Sequence, residues 1–301
     1  MKLGMGMSLK NANGQVHDAR EVGERARWVE AAGFDSIWMG DGLPSMARPD
    51  ILQWLLVAGA ATEHVEVGTS IYILPMRHPV DLAQRFLTLS ALLPDRVNLG
   101  VGTGSEWEGH LVMGSDWDSR FKRLYADMET IRKLCNGARA EEVVDVDLSR
   151  SSGSFGSRGT PPVPWGTIVE GPRFLLGGYH SDITLGRAAR EFDGWIGSAG
   201  RTSFATLAEA IKRYRDIGGT RAVVSSIQID IDAPTQRLTD DDPYNLFCQP
   251  ADAAERLGRL AELGFDEVFL VKQSHAARKP LYEADFTPDD LARLRALLPK
   301  P

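Results

Sequence analysis

Residues capable of chemistry collect at a few points, each just after a short apolar run. Asp41 lies in Met39-Gly40-Asp41-Gly42 and is the only ionisable group directly at the end of its run. A carboxylate placed there can hydrogen-bond a polar cofactor or relay a proton; capping its own turn is the other reading. Glu106 and Glu108, with Trp107 and His110, follow Gly100-Val101-Gly102-Thr103-Gly104. They either reach a pocket or cap an excursion that ends before Gly114. Gly177-Gly178-Tyr179-His180-Ser181 comes just before a helical pattern over 183–192, and Gly197-Ser198-Ala199-Gly200 just before another that starts at Ser203. Free N–H groups at a helix start bind anions. The two glycine clusters therefore predict a phosphate site over Gly177, Gly178, Tyr179, His180, Ser181, Gly197 and Ser198; glycines that merely permit tight turns are the alternative.

Other chemistries lack their residues. No His, Cys, Asp or Glu set has metal-ligand spacing, and there is no Gly-x-Ser-x-Gly elbow. Gly100-Val101-Gly102-Thr103-Gly104 shares only Gly-x-Gly with a dinucleotide fingerprint. Its following helix is expected near Asp118, too distant for a Rossmann turn. His78 precedes Pro79 and reads as a helix cap, while His17, His64 and His275 read as peripheral. Lys272 is the one strand-end lysine.

These positions need a scaffold. Apolar runs over 3–7, 36–39, 65–71, 97–101, 174–176, 194–196, 222–229 and 267–271 read as strands. Helical patterns lie between them and one follows the last. Leu82, Phe86, Leu89 and Leu93 repeat at 4, 3, 4, and Phe204, Leu207, Ile211 and Tyr214 at 3, 4, 3, so each helix has a single apolar face. The last opens with Thr287 as N-cap, Pro288, Asp289 and Asp290. Gly33 and Gly264 mark helix ends. Eight β-then-α units predict a closed (β/α)8 barrel, with an open doubly wound sheet as the rival. In a barrel the strand ends above share one face, where active sites lie. A single domain over 1–301 is expected, with an insertion over 137–171 whose Ser/Gly/Pro-rich run reads as a lid or as a surface loop.

Composition narrows the function classes. The 301 residues carry a net charge of −7, which disfavours a nucleic-acid-binding face. No apolar run reaches the ~18 residues of a membrane span, and the start MKLGMGMS lacks a signal-peptide core, so a cytoplasmic protein is expected. Cys135 and Cys248 are too few for a disulfide framework. The 30 glycines exceed the ~7% average.

Four segments together resemble the bacterial luciferase-like monooxygenase family: GFDSIWMGD at 33–41, RHPVDLAQRFLTLSALLPDRVNLGVGTGSEWE at 77–108, SRFKRLYADMETIRKL at 119–134 and LLGGYHSDITLGRAAREFDGWIGSAG at 175–200. The resemblance implies a (β/α)8 TIM barrel and a reduced flavin-type cofactor, either FMN or the deazaflavin coenzyme F-420. Asp41, the Thr69-Ser70-Ile71 strand end and DRVNLGVGTG are similar to the F-420 branch, in which Ser70–Ile71 would be a non-proline cis peptide bulging towards the ring. On that basis Asp41, Ser70, Ile71, Gly102 and Thr103 would contact the ring system. Gly177, Gly178, Tyr179, His180, Ser181, Gly197 and Ser198 would hold the phosphate, and Asp41 or Glu106 would handle a proton as the catalytic groups. The implied activity is hydride transfer between coenzyme F-420 and a small organic substrate. An FMN monooxygenase using oxygen and a non-catalytic flavin-binding barrel are the alternatives. A homodimer is implied by resemblance alone. Two positions depart from the F-420-dependent sugar-phosphate dehydrogenases: Gly42 replaces their histidine, and Ser105 replaces their acid, with Glu106 one residue later. The substrate acid/base is therefore not inherited. The paired histidines frequent in the FMN branch after the second strand are also missing.

Overall fold

The computed structural model describes residues 1–10, 14–42, 49–145, 164–239, 241–273 and 286–297. His275 and the Ser/Gly/Pro-rich run at 149–162 lie outside them, and so does most of the expected lid.

The eight expected strands all form: β1 (Lys2–Gly6), β2 (Ser36–Met39), β3 (Glu66–Ile73), β4 (Val97–Gly102), β5 (Arg173–Gly177), β6 (Gly194–Ser198), β7 (Ala222–Asp230) and, after the two-residue β8 (Leu246–Phe247), β9 (Glu267–Lys272). Every pairing within the sheet is parallel, and β7 joins both β6 and β9 while β1 joins β9 and β2. The sheet therefore closes into an eight-stranded barrel, and the open-sheet rival is excluded. β8 is a short addition to the end of β7.

The helices are α1 (Ala19–Ala31), α2 (Ile51–Ala60), α3 (Pro79–Leu92), α4 (Trp107–Val112), α5 (Arg120–Cys135), α6 (Ala140–Val143), α7 (Asp182–Glu191), α8 (Phe204–Asp216), α9 (Pro250–Glu262) and α10 (Pro288–Arg295). Their starts follow the capping chemistry in the sequence. His78 caps α3 through Nδ1, Ser181 caps α7, and Thr287 forms a reciprocal capping box with Asp290 at α10. Gly33 and Gly264 follow α1 and α9 with φ of +84° and +88°, a backbone region open mainly to glycine. One expectation fails: the first helix after β4 is α4 at Trp107, well before Asp118. Its buried face is only Gly109 and His110, so it has no apolar stripe for a period to reveal. No described helix is long and apolar enough to cross a membrane.

The main core lies between barrel and helices, and a second apolar cluster of Trp38, Leu175, Ile196, Val223, Phe269 and Val271 fills the barrel itself. Trp38 stacks on Phe269 with ring centroids 5.4 Å apart. A Cβ on Gly68 would come within 2.5 Å of the Trp38 ring, and one on Gly4 within 2.9 Å. Two of the surplus glycines thus make room for one tryptophan. Below this layer, at the N-terminal end, the inward positions are polar and mutually satisfied. Glu267 accepts from Ser36 Oγ, from Trp38 Nε1 at 2.8 Å and from Arg221 at 2.9 Å. Asn98 accepts from Arg221 at 2.7 Å and Arg173 at 2.8 Å, and donates to Glu66 at 2.8 Å. Lys2 closes on Glu66 at 3.0 Å. Strand alternation puts Gly6, Ser70, Gly102, Gly177, Ser198 and Ser225 inward at the opposite, C-terminal end. Above the Trp38 layer the barrel mouth is therefore paved with small residues.

Candidate functional site

Asp41 follows β2 and is held firmly. Its Oδ2 accepts from Arg77 Nη1 at 2.6 Å and from the Ile73 N–H at 3.1 Å; its Oδ1 accepts from Arg77 Nη2 at 3.1 Å and from the Gly42 N–H at 2.9 Å. A carboxylate offers about four acceptor positions, and here each has a donor. The Asp41 and Arg77 side chains are only 5% and 13% exposed. Burial would pull the Arg77 guanidinium down, but the hydrogen bonds and charge of Asp41 outweigh it and hold it above its ordinary value. The Asp41 N–H donates to Ile71 O at 3.1 Å, and Arg77 Nη1 donates to Ile73 O at 2.9 Å. The guanidinium lies 4.0 Å over the Tyr72 ring. The pair brackets residues 71–73, and this arrangement leaves no acceptor position over for proton traffic.

The bracketed segment contains the expected feature: the Ser70–Ile71 peptide bond is cis, and the ladder with β4 shifts between Thr69 and Tyr72. The Ile71 side chain reaches across the mouth. A Cβ on Gly102 would lie 2.4 Å from its Cδ1, and one on Gly177 would lie 2.2 Å from its Cγ2. These two glycines are dictated by Ile71, not only by a ligand's approach. Gly178 makes way for Thr184, and Gly197 for the Trp195 ring, whose Nε1 donates to Gly178 O at 3.0 Å. The sequence locates these glycines and offers ligand access or tight turns as their reason; neither includes the side chains of Ile71, Thr184 and Trp195.

The expected phosphate site keeps its donors. The amides of Tyr179, His180 and Ser181 have no acceptor among the described residues, while Ser181 Oγ accepts from the Thr184 N–H and caps α7. Asp182, in the first turn of α7, would repel an anion, but Arg213 of α8 pairs with it at 2.6 Å and also donates to His180 O at 2.8 Å. Arg201, just after β6, donates to Tyr179 Oη at 3.0 Å and has no carboxylate partner among the described residues. It joins the β5 and β6 loops beside Ser198. Sequence reasoning missed Arg77, Arg201 and Arg213. Arg201 was findable, since it follows the Gly197–Gly200 cluster; Arg213 was not, because it is a half-buried residue of α8 brought to the site from a distant part of the sequence.

After β4, Thr103 is buried and Glu106 is exposed at the start of α4, with no bonding partner among the described residues. Asp41 and Glu106 therefore differ sharply, one fully engaged and one free. His110 is wholly buried beneath Thr103. Lys272 is paired with Asp290. No group of three or more His, Cys, Asp or Glu able to hold a metal occurs among the described residues.

Comparison with known proteins places this geometry. Residues 1–243 match the family model described as luciferase-like monooxygenase. The F-420-dependent glucose-6-phosphate dehydrogenase of Beutenbergia cavernae is 29% identical, over 89% of this chain and 91% of its own length. The enzyme of that name from Rhodococcus erythropolis is 25% identical, over 95% and 97%. Among solved structures, the monooxygenase RslO1 from Streptomyces bottropensis superposes with a TM-score of 0.70 at 17% identity, covering 99% of this chain and 97% of that one. The coenzyme F-420 dependent tetrahydromethanopterin reductase from Methanopyrus kandleri gives 0.68 at 12% identity, covering 98% and 97%.

Proposed function

The chain belongs to the luciferase-like monooxygenase family, as an oxidoreductase of that family, and from that premise we propose that it transfers a hydride between coenzyme F-420 and a small organic substrate. The observation that carries the reading is the meeting, at one barrel end, of three amides without an acceptor among the described residues and a mouth paved with small residues around Ile71. The amides of Tyr179, His180 and Ser181, which have no acceptor among the described residues, suit a phosphate together with Arg201. The Gly102, Gly177 and Ile71 surface suits a flat ring. The names of the relatives favour the deazaflavin over FMN.

When bound, the deazaflavin supplies the hydride-carrying carbon. The chain's own residues position and shield. Asp41 and Arg77 fix residues 71–73, so that Ile71 presents a constant surface. Ser70, Ile71, Gly102 and Thr103 line the ring's place. Gly177, Gly178, Ser181, Gly197 and Ser198 shape the phosphate loops. Glu106, exposed at the start of α4 and without a bonding partner among the described residues, is the group assigned to move a proton, and Asp41 is given a positioning role.

The test is titration of the purified protein with coenzyme F-420 and with FMN, alongside Gly177→Asp. Micromolar or tighter affinity for F-420 alone is expected, abolished in the variant, because the aspartate adds bulk against Ile71 and negative charge beside the phosphate loop. Exclusive FMN binding with oxygen consumption would overturn the reading. Unchanged affinity in Gly177→Asp would remove the cofactor from this mouth.

A further inference from the structure

We propose that β7 carries the substrate-recognising wall of the mouth, where Ser225 and Gln228 bind a carbonyl or hydroxyl oxygen of the substrate. The assignment rests on the cofactor placement proposed above, which puts the ring on the Ile71 side.

The barrel order sets β7 opposite β3. Three strands separate them on either side: β4, β5 and β6 one way, β9, β1 and β2 the other. β3 brings Ile71 across Gly102 and Gly177, which makes that side of the mouth apolar. A ring placed there leaves the β7 side for the substrate.

A regularly alternating β7 would be apolar as well. Val223 belongs to the cluster inside the barrel and Val224 to the core outside it. Continued alternation through Ser225 would turn Ile227 and Ile229 into the mouth. Instead the ladder with β9 shifts between Val224 and Ile227, and Ser226 takes a φ of +56°, a region that few residues other than glycine enter. The extra residue reverses the faces beyond it. Ile227 and Ile229 pack in the outer core. Gln228 pairs with Val271, a member of the cluster inside the barrel, and so faces inward. The bulge thus exchanges two isoleucines for one carboxamide in the mouth.

Ser225 is the next inward residue above Val223 and lies beside Ser198 of β6. It is only 5% exposed, yet its hydroxyl has no hydrogen-bond partner among the described residues. The half-buried Gln228 carboxamide has none among them either. Buried polar groups are normally bonded, and those at the other end of this barrel bond one another. Two neighbouring groups left over on one wall mark a place for a ligand's polar atom. Each can both donate and accept, which suits a carbonyl oxygen or a hydroxyl. The inward residues around them, Gly6, Ser198 and Val271, carry no charge.

The experiment compares the wild type with Ser225→Ala and Gln228→Met, which remove the polar groups at little change in volume. Ser225→Ala decides alone if Gln228→Met does not fold. Coenzyme F-420 affinity should stay within about twofold in both, because the ring's place is across the mouth. A loss of about tenfold or more would give the wall to the cofactor and overturn the proposal. Steady-state rates are then measured with reduced F-420 on cyclohexanone, cyclohex-2-enone, 2-octanone and benzaldehyde, and with oxidised F-420 on the matching alcohols. For the compound turned over best, KM should rise about tenfold in each variant with kcat changed less. Unchanged KM, or no turnover of any of these compounds by a wild type that binds F-420, overturns the proposal. A further readout needs no cofactor. In the 15N-labelled chain the Gln228 side-chain amide signal, identified by its loss in Gln228→Met, should shift on titration with the same compounds. If the wild type binds neither F-420 nor FMN, it is the proposed function that fails. The amide then decides the wall: a shift supports it, and an unmoved signal overturns it.

Discussion

The two ends of the barrel use polar residues in opposite ways. At the N-terminal end Glu267, Arg221, Asn98, Arg173 and Glu66 spend their hydrogen bonds on one another. At the C-terminal end the engaged groups, Asp41 with Arg77 and Arg213 with Asp182, act on backbone, while the amides of Tyr179, His180 and Ser181, the carboxylate of Glu106 and the guanidinium of Arg201 have capacity left. The first end is a closed plug and the second a scaffold with spare donors. Burial alone does not separate them, since Asp41 is nearly as enclosed as Glu267. What separates them is whether the partners are other side chains of the plug or the loops that shape a mouth. Changes at the plug should therefore cost stability and leave binding intact, whereas changes at the mouth should cost binding as well.

The largest effect is expected at the plug. Glu267→Leu strips Arg221, Trp38 and Ser36 of their common acceptor and leaves the largely buried Arg221 guanidinium with only the longer contact to Glu66, at 3.4 Å. Breaking such a pair costs about 3–5 kcal/mol, readable by denaturant unfolding. Cofactor affinity of the folded protein should be unchanged; a parallel fall would break the comparison. Asp41→Asn comes next. The amide keeps one oxygen acceptor but turns an N–H towards donors, for a loss of about 2 kcal/mol in stability. Here cofactor affinity should fall more than tenfold, because residues 71–73 lose their bracket. Calorimetric titration of the two variants side by side measures the contrast, and unchanged affinity in Asp41→Asn would show the mouth to be no more than a second plug.

The sequence carried the scaffold well, because strand runs and one-sided helices obey short-range periods. All eight barrel strands were legible, and the resemblance to the family placed the cis Ser70–Ile71 bond. α4 was not legible, since a helix of six residues resting on Gly109 and His110 has no stripe to read. The mouth was half legible. Glycine positions follow from local pattern, but the reason for Gly102 and Gly177 is the Ile71 side chain, brought over from another strand. Likewise Asp41 could be found but its use could not. Whether a carboxylate is free depends on a guanidinium 36 residues away, and sequence spacing does not report that distance.

The smallest effect concerns acid. Burial pushes the Glu66 carboxyl up, but hydrogen bonds from Lys2 and Asn98 and the charges of Lys2 and Arg173 outweigh it, so it sits below its ordinary value of 4.5. A carboxylate depressed in the folded state stabilises above the unfolded value and loses that contribution as pH falls through the folded one. The plug should thus weaken below about pH 4.5. Glu66 is partly open at the barrel's end, so its share is about 1 kcal/mol or less. Glu66→Gln should lower stability at neutral pH by that amount and make the acid limb of the stability curve shallower, with the two proteins converging at low pH. Cofactor affinity at neutral pH should match the wild type, because none of Glu66's partners touches the mouth. An acid limb unchanged in Glu66→Gln would move the source of acid sensitivity away from the plug, and the division between the two ends would then rest on Glu267 alone.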